Sequence, residues 1–378
     1  MLYGDGKHDD TLALQAMLEQ RGFVKIENPG TYLISKTLII HSNTRLEICP
    51  GAILLAAPFS KCALIENEHF ADDAQRDQNI SITGGIWDGN CDNMGLDAVY
   101  EALHREDQPY SPQLFKGKLL RFAHIDHLSL EKLTVKDPVS YGIQIAAARG
   151  FVTRDIFFDY NWHFGTTDGV HINGPSCDGV IENLYGTTND DMVSLTTIDE
   201  THAEISTGDI TNVYIHNISA QNGYSGIRLL SAGNFDIRDI HISGVYGTYR
   251  HNAVLISHHY TRPGTRIWFD NIILEHIHAS KSATPLTKDC FTLWEDGAIE
   301  THPIIWIEEG IHAGSIILRD ISRHEKTKTT GALVQIDASA KIRRLYAENI
   351  FQTTEPGISA PSWFNEGDIE NLIMHDVL

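Results

Sequence analysis

Apolar and polar residues alternate along most of this chain in short paired runs, and the runs share one plan. NISITGGIWDGN near residue 80, HLSLEKLTVKD near 130, GFVTRDIFFDYN near 155, DGVIENLYGTTND near 182, TNVYIHNISAQNG near 215 and FDIRDIHISGVYG near 240 show it in succession. RIWFDNIILEHIHAS near 270, GSIILRDISRHE near 318, KIRRLYAENIFQT near 345 and DIENLIMHDVL at the end continue it. In each unit a period-two alternation predicts a strand, a small or polar bend follows, commonly with Asn or Asp near the corner, and a second short apolar strand completes it. The units recur at irregular intervals of roughly 24 to 33 residues, with a larger gap between about 270 and 318 that has room for another turn.

No such unit can bury an apolar face alone, so the units must stack. A leucine-rich horseshoe would need L-x-x-L-x-L and regular helical segments, and a propeller would repeat a W-D or G-H signature blade by blade; no such repeat runs through the chain. Short β-branched strands, Asn-bearing corners and variable loops predict an all-β fold, a single-stranded right-handed parallel β-helix spanning residues 1–378. The start differs. GDGKHDDTLALQAMLEQRG predicts a short capping helix, with Asp10 or Thr11 as N-cap, Leu12, Leu14, Met17 and Leu18 on one face, and Gly22 as the stop. FVKIENPGTYLIS and RLEICPGAILLA follow as the first strands. No long Pro-, Gly- or Ser-rich linker interrupts the chain, which favours one domain. The polar segments 90–116 and 198–209 read as loop insertions that wall a groove on one face.

Composition narrows the function classes. With 42% hydrophobic and 21% charged residues, the chain is expected to fold as a soluble protein with a sizeable core. A net charge of -21 disfavours nucleic acid and anionic membranes as partners, because the long-range field repels phosphate. No apolar run reaches the ~18 residues of a membrane span, and MLYGDGKHDD has no secretory leader pattern; the expectation is a cytoplasmic protein, or one exported by a route this segment does not show. Cys49, Cys62, Cys91, Cys177 and Cys290 have no C-x-x-C spacing, which argues against a zinc site or a dense disulfide framework. Packed, reduced thiols are expected, with no cofactor and no metal.

Candidate chemistry concentrates in TTDGVHINGPSCDGVIENLYGTTNDD, from Thr166 to Asp191. It sets Asp168 about one coil ahead of Asp190 and Asp191. Equivalent positions on neighbouring coils lie about 4.8 Å apart, so three carboxylates would share one patch. So close, they cannot all ionise easily, and one is pushed toward holding a proton at near-neutral pH. A protonated carboxyl beside an ionised one is the pairing that glycoside hydrolysis uses. Adjacent strand residues point to opposite faces, so Asp190 and Asp191 converge only if the backbone bends there; Thr188 and Asn189 suggest a corner. The competing reading is that these acids are corner residues satisfying local amides.

The motifs resemble glycoside hydrolase family 28, the polygalacturonases and their relatives. YGDGKHDDTLALQAML is similar to the Y-G-A-x-G-D-G-x-x-D-D-T-x-A-I-Q segment shared with many β-helical lyases and tailspikes, and ITGGIWDGN to the I-x-G-x-G-x-x-D-G corner. TTDGVHI resembles the family's N-T-D-G-[IV] motif, NDDMVSL its G-D-D-C-[IV]-[AS]-[IL] motif, and GYSGIRLLS stands where G-H-G-[IL]-S-[IL]-G-S is found. The resemblance implies a pectin lyase-like β-helix and an inverting hydrolase, with Asp190 as acid and Asp168 with Asp191 holding the water. Thr167 replaces the motif Asn, Asn189 the Gly, and Tyr224 or Ser225 the His. Leu255 and Ser257 stand where an R-I-K pair would bind a uronate carboxylate, so pectic fragments remain the default the resemblance implies, with a neutral or differently substituted sugar close behind.

Around the acids, Trp162 and His163 are candidates for sugar stacking and proton transfer, and His171 and Tyr224 for contacts to substrate. Arg228 is the nearest cation, able to replace the missing pair or to neutralise the acids. His258 and His259 lack the spacing of a metal site. The expected partner is a polysaccharide or oligosaccharide, with the oligomeric state open. Two rivals stand beside hydrolysis: a polysaccharide lyase or tailspike-type depolymerase on the same fold, and a non-catalytic glycan-binding β-helix.

Overall fold

The structure, a computed structural model, describes residues 2–96, 117–198, 205–258, 265–283 and 301–377. The chain forms a right-handed parallel β-helix: the described residues build a 24-stranded sheet whose first strand starts at Asp5 and whose last ends at Val377. Pairing is parallel from coil to coil, so each inward position becomes one step of a column. Ile143, Val170, Val193, Ile227, Val254, Ile305 and Val334 form such a column, and all are fully buried. Burying each of these side chains is worth about 1.5–3 kcal/mol, which is why the strands read as apolar at every second place. One residue further on, Gln144, His171, Ser194, Arg228, Leu255, Trp306 and Gln335 make the outward column.

The Asn and Asp residues of the repeat have a defined task. Lys132, Asp155, Asn183, Asn217, Gly244, His276, Asp320 and Asn349 occupy one register position, and each has a φ of 52 to 79 degrees. This is the left-handed region, which Asn, Asp and Gly enter most readily. The amides also bond along the stack: Asn183 Nδ2 donates to Asp155 Oδ1 at 2.8 Å, and Asn217 Nδ2 to Asn183 Oδ1 at 2.8 Å. A parallel column of Asp178, Asn212, Asp239 and Asn271 turns a second corner in the same way.

The capping helix runs Thr11–Leu18. Leu14 and Leu18 are buried and, with Met17, face Val24, Ile26 and Leu38 of the first coil and Leu46 and Leu54 of the second. Leu12 is not on that face; it is 84% exposed, because two residues rotate a helix by about 200 degrees and carry it away from Leu14. Asp10 precedes the helix, but its carboxylate binds the backbone N–H groups of Tyr3 and Gly4 rather than the helix end.

The gap between 270 and 318 holds no extra coil among the described residues: Val254 pairs with Ile305 and Phe269 with Ala313, one coil each. Residues 284–300, Cys290 among them, lie outside the described residues, as do 97–116 and 199–204 of the two loop insertions and His259. Cys49, Cys62, Cys91 and Cys177 are free thiols. No helix among the described residues is long and apolar enough to cross a membrane.

Candidate active site

Two adjacent coils carry the acids. The N–H of Gly142 bonds the Asp168 carbonyl at 2.8 Å and the N–H of Gly169 bonds the Asp191 carbonyl at 2.9 Å, continuing the register in which Val170 pairs with Val193. Asp168 therefore stands over Asp191, and the partner one coil away is Asp191 rather than Asp190. Gly169 is fixed by this close stacking: a Cβ there would sit 2.5 Å from the Met192 carbonyl oxygen.

Asp190 lies in a bend, and the strand begins only at Asp191. The break in strand parity that convergence requires is present. One oxygen from each of Asp168, Asp190 and Asp191 lies within 4.8 Å of the other two. Asp168 and Asp191 are buried, while Asp190 is half-exposed and forms the open side of the cluster.

The two departures in the motifs hold this bend. The Asn189 N–H donates to Thr167 Oγ1 at 3.2 Å, its side-chain amide donates to the Phe164 carbonyl at 2.9 Å, and its Oδ1 accepts from Arg250 Nη2 at 3.0 Å. Thr188 Oγ1 donates to the Asp190 carbonyl at 2.8 Å. Side-chain bonds thus organise a corner that glycine occupies in the resembling motif.

Electrostatics separate the acids. Burial pushes the Asp191 carboxyl up, opposed by Arg228, whose Nη1 lies 3.7 Å from Asp191 Oδ2, and by Ser225. Asp168 Oδ2 accepts from His171 Nδ1 at 2.6 Å. Three acidic oxygens this close also resemble a cation cradle. Here the guanidinium beside Asp191 and the imidazole N–H held by Asp168 already offset part of the negative charge such a cation would meet. Glu68, His69 and Asp77 form the other such group among the described residues. Asp77 is saturated there by Ser42, Asn67 and the His69 backbone at 2.7 to 2.8 Å.

The remaining sequence candidates fall into distinct places. His171 is buried behind Asp168 and not on an open face. The Trp162 ring carries the Arg250 guanidinium 4.2 Å from its centroid, so that face is covered. His163 is half-exposed and bonds Asp92 at 2.7 Å. Tyr224 is 6% exposed and stacks on His251 with centroids 5.0 Å apart. Arg228 Nη2 reaches Ser257 Oγ at 3.3 Å, so the cation on this face comes from one coil earlier than the family's R-I-K pair. His258 faces Glu308 at 3.9 Å.

Sequence reading found Tyr224 but missed His251, His302 and Trp306, which continue from it as a row of rings beyond Asp190. Asp191 pairs with Ser225, and the Tyr224 carbonyl accepts from the His251 N–H, so Asp190, Tyr224 and His251 follow one another along the axis. His302 meets His251 edge-to-face at 4.1 Å and Trp306 at 5.0 Å. Burial lowers His302 to about 4 and, with His302 beside it, takes His251 well below its ordinary value. Both rings are neutral near pH 7. Register is the signal that could have found them, but it depends on coil lengths that spacing alone left uncertain.

Comparison with known proteins agrees with this geometry at the level of fold. No protein-family model and no curated protein sequence matches the chain. Among solved structures, an endo-xylogalacturonan hydrolase from Aspergillus tubingensis superposes with a TM-score of 0.63 at 14% identity, covering 97% of this chain and 98% of the other. A family 28 exopolygalacturonase from Yersinia enterocolitica gives 0.62 at 14% identity, covering 97% of this chain and 76% of the other. The fold is that of the family 28 polygalacturonases. A hyperthermoactive exopolygalacturonase from Thermotoga maritima follows, with a TM-score of 0.57 at 14% identity over 99% of this chain and 90% of the other. The motif resemblance and the polygalacturonase-like fold coincide, while the side chains of the site are this chain's own.

Proposed function

We propose that the protein is a glycoside hydrolase acting on a polysaccharide or oligosaccharide, with Asp168, Asp190 and Asp191 as its catalytic groups. The observation that carries the reading is the convergence of one oxygen from each acid within 4.8 Å, two of the acids buried and one open. Asp190, on the open side, is placed to meet the glycosidic oxygen as general acid. Asp190 would carry the proton it delivers, while the buried Asp191 beside it resists ionisation. Asp168 and Asp191, shielded from bulk solvent, are placed to hold one water and draw its proton as it attacks the anomeric carbon from the opposite face. The leaving oxygen gains the acid's proton and the water loses one to the carboxylate. The family 28 resemblance favours inversion, while oxygens within 4.8 Å are closer than the ~6.5–9.5 Å usual for an inverting pair, so the anomeric product decides.

The sugar beyond the cleaved bond would lie along His251, His302 and Trp306, which are half-buried, with Tyr224 packed beneath them. Those neutral rings suit stacking and hydroxyl contacts.

The deciding experiment screens pectic and neutral glycans for release of reducing ends and follows the first product's anomeric configuration by proton NMR. Inverted product from wild type, with turnover lost in Asp190→Asn, is expected. Retained turnover in Asp190→Asn overturns the assignment. An unsaturated product absorbing in the ultraviolet indicates a lyase, and tight glycan binding without turnover indicates a binding module.

A further inference from the structure

We infer that His171 is a positioning residue: as a neutral imidazole protonated on Nδ1, held by Gln144 and Asn173, it keeps Asp168 as the ionised member of the acid cluster. The role rests on the hydrolytic reading above; the hydrogen-bond line itself does not.

The line is set by register. Gln144 and His171 are paired neighbours on successive coils, and Asn173 lies two residues further along the His171 strand, on the same side. Gln144 Nε2 donates to Asn173 Oδ1 at 2.9 Å, which turns the other end of that amide, Nδ2, toward His171 Nε2 at 3.3 Å. With the Asn173 amide in this orientation, Nε2 carries a lone pair and the ring proton lies on Nδ1. Nδ1 points at Asp168 Oδ2, 2.6 Å away.

Nothing in the line is loose. Gln144, His171, Asn173 and Asp168 are each at most 3% exposed. Tyr141 lies flat against the imidazole, with centroids 4.0 Å apart and planes 4 degrees apart, and the Lys118 ammonium sits 4.6 Å from the Tyr141 ring centre. The ring cannot turn over without breaking both bonds and the stack.

The consequence follows from the neighbour. Three carboxyls sharing a site could place one proton on any of them, and only one distribution leaves a base for the water. A hydrogen bond donated to Asp168 favours its charged form, whereas burial disfavours Asp191 as an anion and outweighs the opposing pull of Arg228, Ser225 and His171. The proton is thereby steered to the Asp190 and Asp191 side. A purely structural network would satisfy the same atoms, so the test must read more than folding.

Long-range proton–nitrogen NMR on protein with labelled histidine reads the tautomer directly. A neutral ring with Nδ1 protonated is expected, whatever glycan the protein acts on; a proton on Nε2, alone or with Nδ1, overturns the line. His171→Phe keeps the stack on Tyr141 and removes the donor. Its kcat should fall about 10- to 100-fold at unchanged KM, the loss of one hydrogen bond to a charged group. His171→Asn, which restores an N–H near the Nδ1 position, should recover part of that loss. Wild-type kcat in folded His171→Phe overturns the positioning role alone. If wild-type protein turns over no glycan, the hydrolytic reading and the role fail together, and the NMR result still decides the line.

Discussion

Asp168 and Asp191 hold the same register position on neighbouring coils, each 3% exposed, with the Gly169 N–H bonded to the Asp191 carbonyl between them. Stacking creates this pair directly, and stacked acids are a source of strain as well as of chemistry. Burial raises the Asp191 carboxyl. A carboxyl held above its unfolded value favours the fold at pH below that unfolded value, and this contribution is lost as pH rises through the folded value. Asp191→Asn should therefore stabilise the protein at pH 7, by about 1 kcal/mol, while abolishing turnover. The gain should shrink toward zero below pH ~4, where both states of the wild type are protonated. Thermal melts of both proteins across this range check it. Lower stability of the variant at pH 7 would mean that the pairing with Arg228 outweighs the burial cost.

His302 makes the opposite pH prediction. Its folded value is lowered to about 4, first by burial and then by Lys281. Between that value and ~6.5 the unfolded chain binds a proton that the fold does not, so stability falls as pH drops through this window. His302→Gln should flatten the loss between pH 6.5 and 4 by at most ~3 kcal/mol. His251 is lowered too, so the variant should reduce the slope without removing it. Denaturant midpoints at several pH values measure this, and parallel curves for the two proteins would contradict the neutral-ring assignment.

Much of the fold was legible because stacking writes a period into the sequence. Alternation marked the inward columns, and Asn and Asp marked corners whose φ of 55 to 58 degrees at Asp178, Asn183, Asn212 and Asn217 explains why those residues recur. The helix was legible except for Leu12, where counting apolar residues replaced their angular positions. The acids were legible as a set, since TDG and NDD lie about one coil apart. What sequence could not show was which acid stood over which, because the offset depends on where the bend at Asn189 falls. For the same reason the R-I-K position led to Leu255 and Ser257, whereas the nearest cation reaches forward from Arg228. His171 looked outward by alternation and is outward, yet a carboxylate and two amides bury it.

The corner ladder can be tested away from the site. Asn217 has a φ of 57 degrees and donates to Asn183 Oδ1 at 2.8 Å. Asn217→Ala loses the bond and keeps a Cβ in the left-handed region, so a cost of about 2 kcal/mol is expected. Asn217→Gly loses the same bond without that strain and should cost about 1 kcal/mol less than the alanine. Equal losses would show that the ladder bond, and not the backbone angle, sets the requirement for Asn.

Restoring the motif glycine at position 189 should harm this protein. Asn189 donates from its side chain to the Phe164 carbonyl at 2.9 Å and accepts from Arg250 Nη2 at 3.0 Å. Both the Asn189 side chain and Arg250 are buried, so the partners left behind lose contacts that water cannot readily replace. Glycine also adds chain freedom to the unfolded state, costing a further ~0.5–1 kcal/mol. Asn189→Gly is expected to lower stability by about 3 kcal/mol in total and to cut turnover at unchanged folded content, because the bend it holds is the one that turns Asp190 toward Asp168 and Asp191. Urea unfolding and initial rates on the same preparations test both halves. A variant as stable and as active as wild type would show that the corner is formed by the backbone alone, and that the side-chain lock is a consequence of the bend and not its cause.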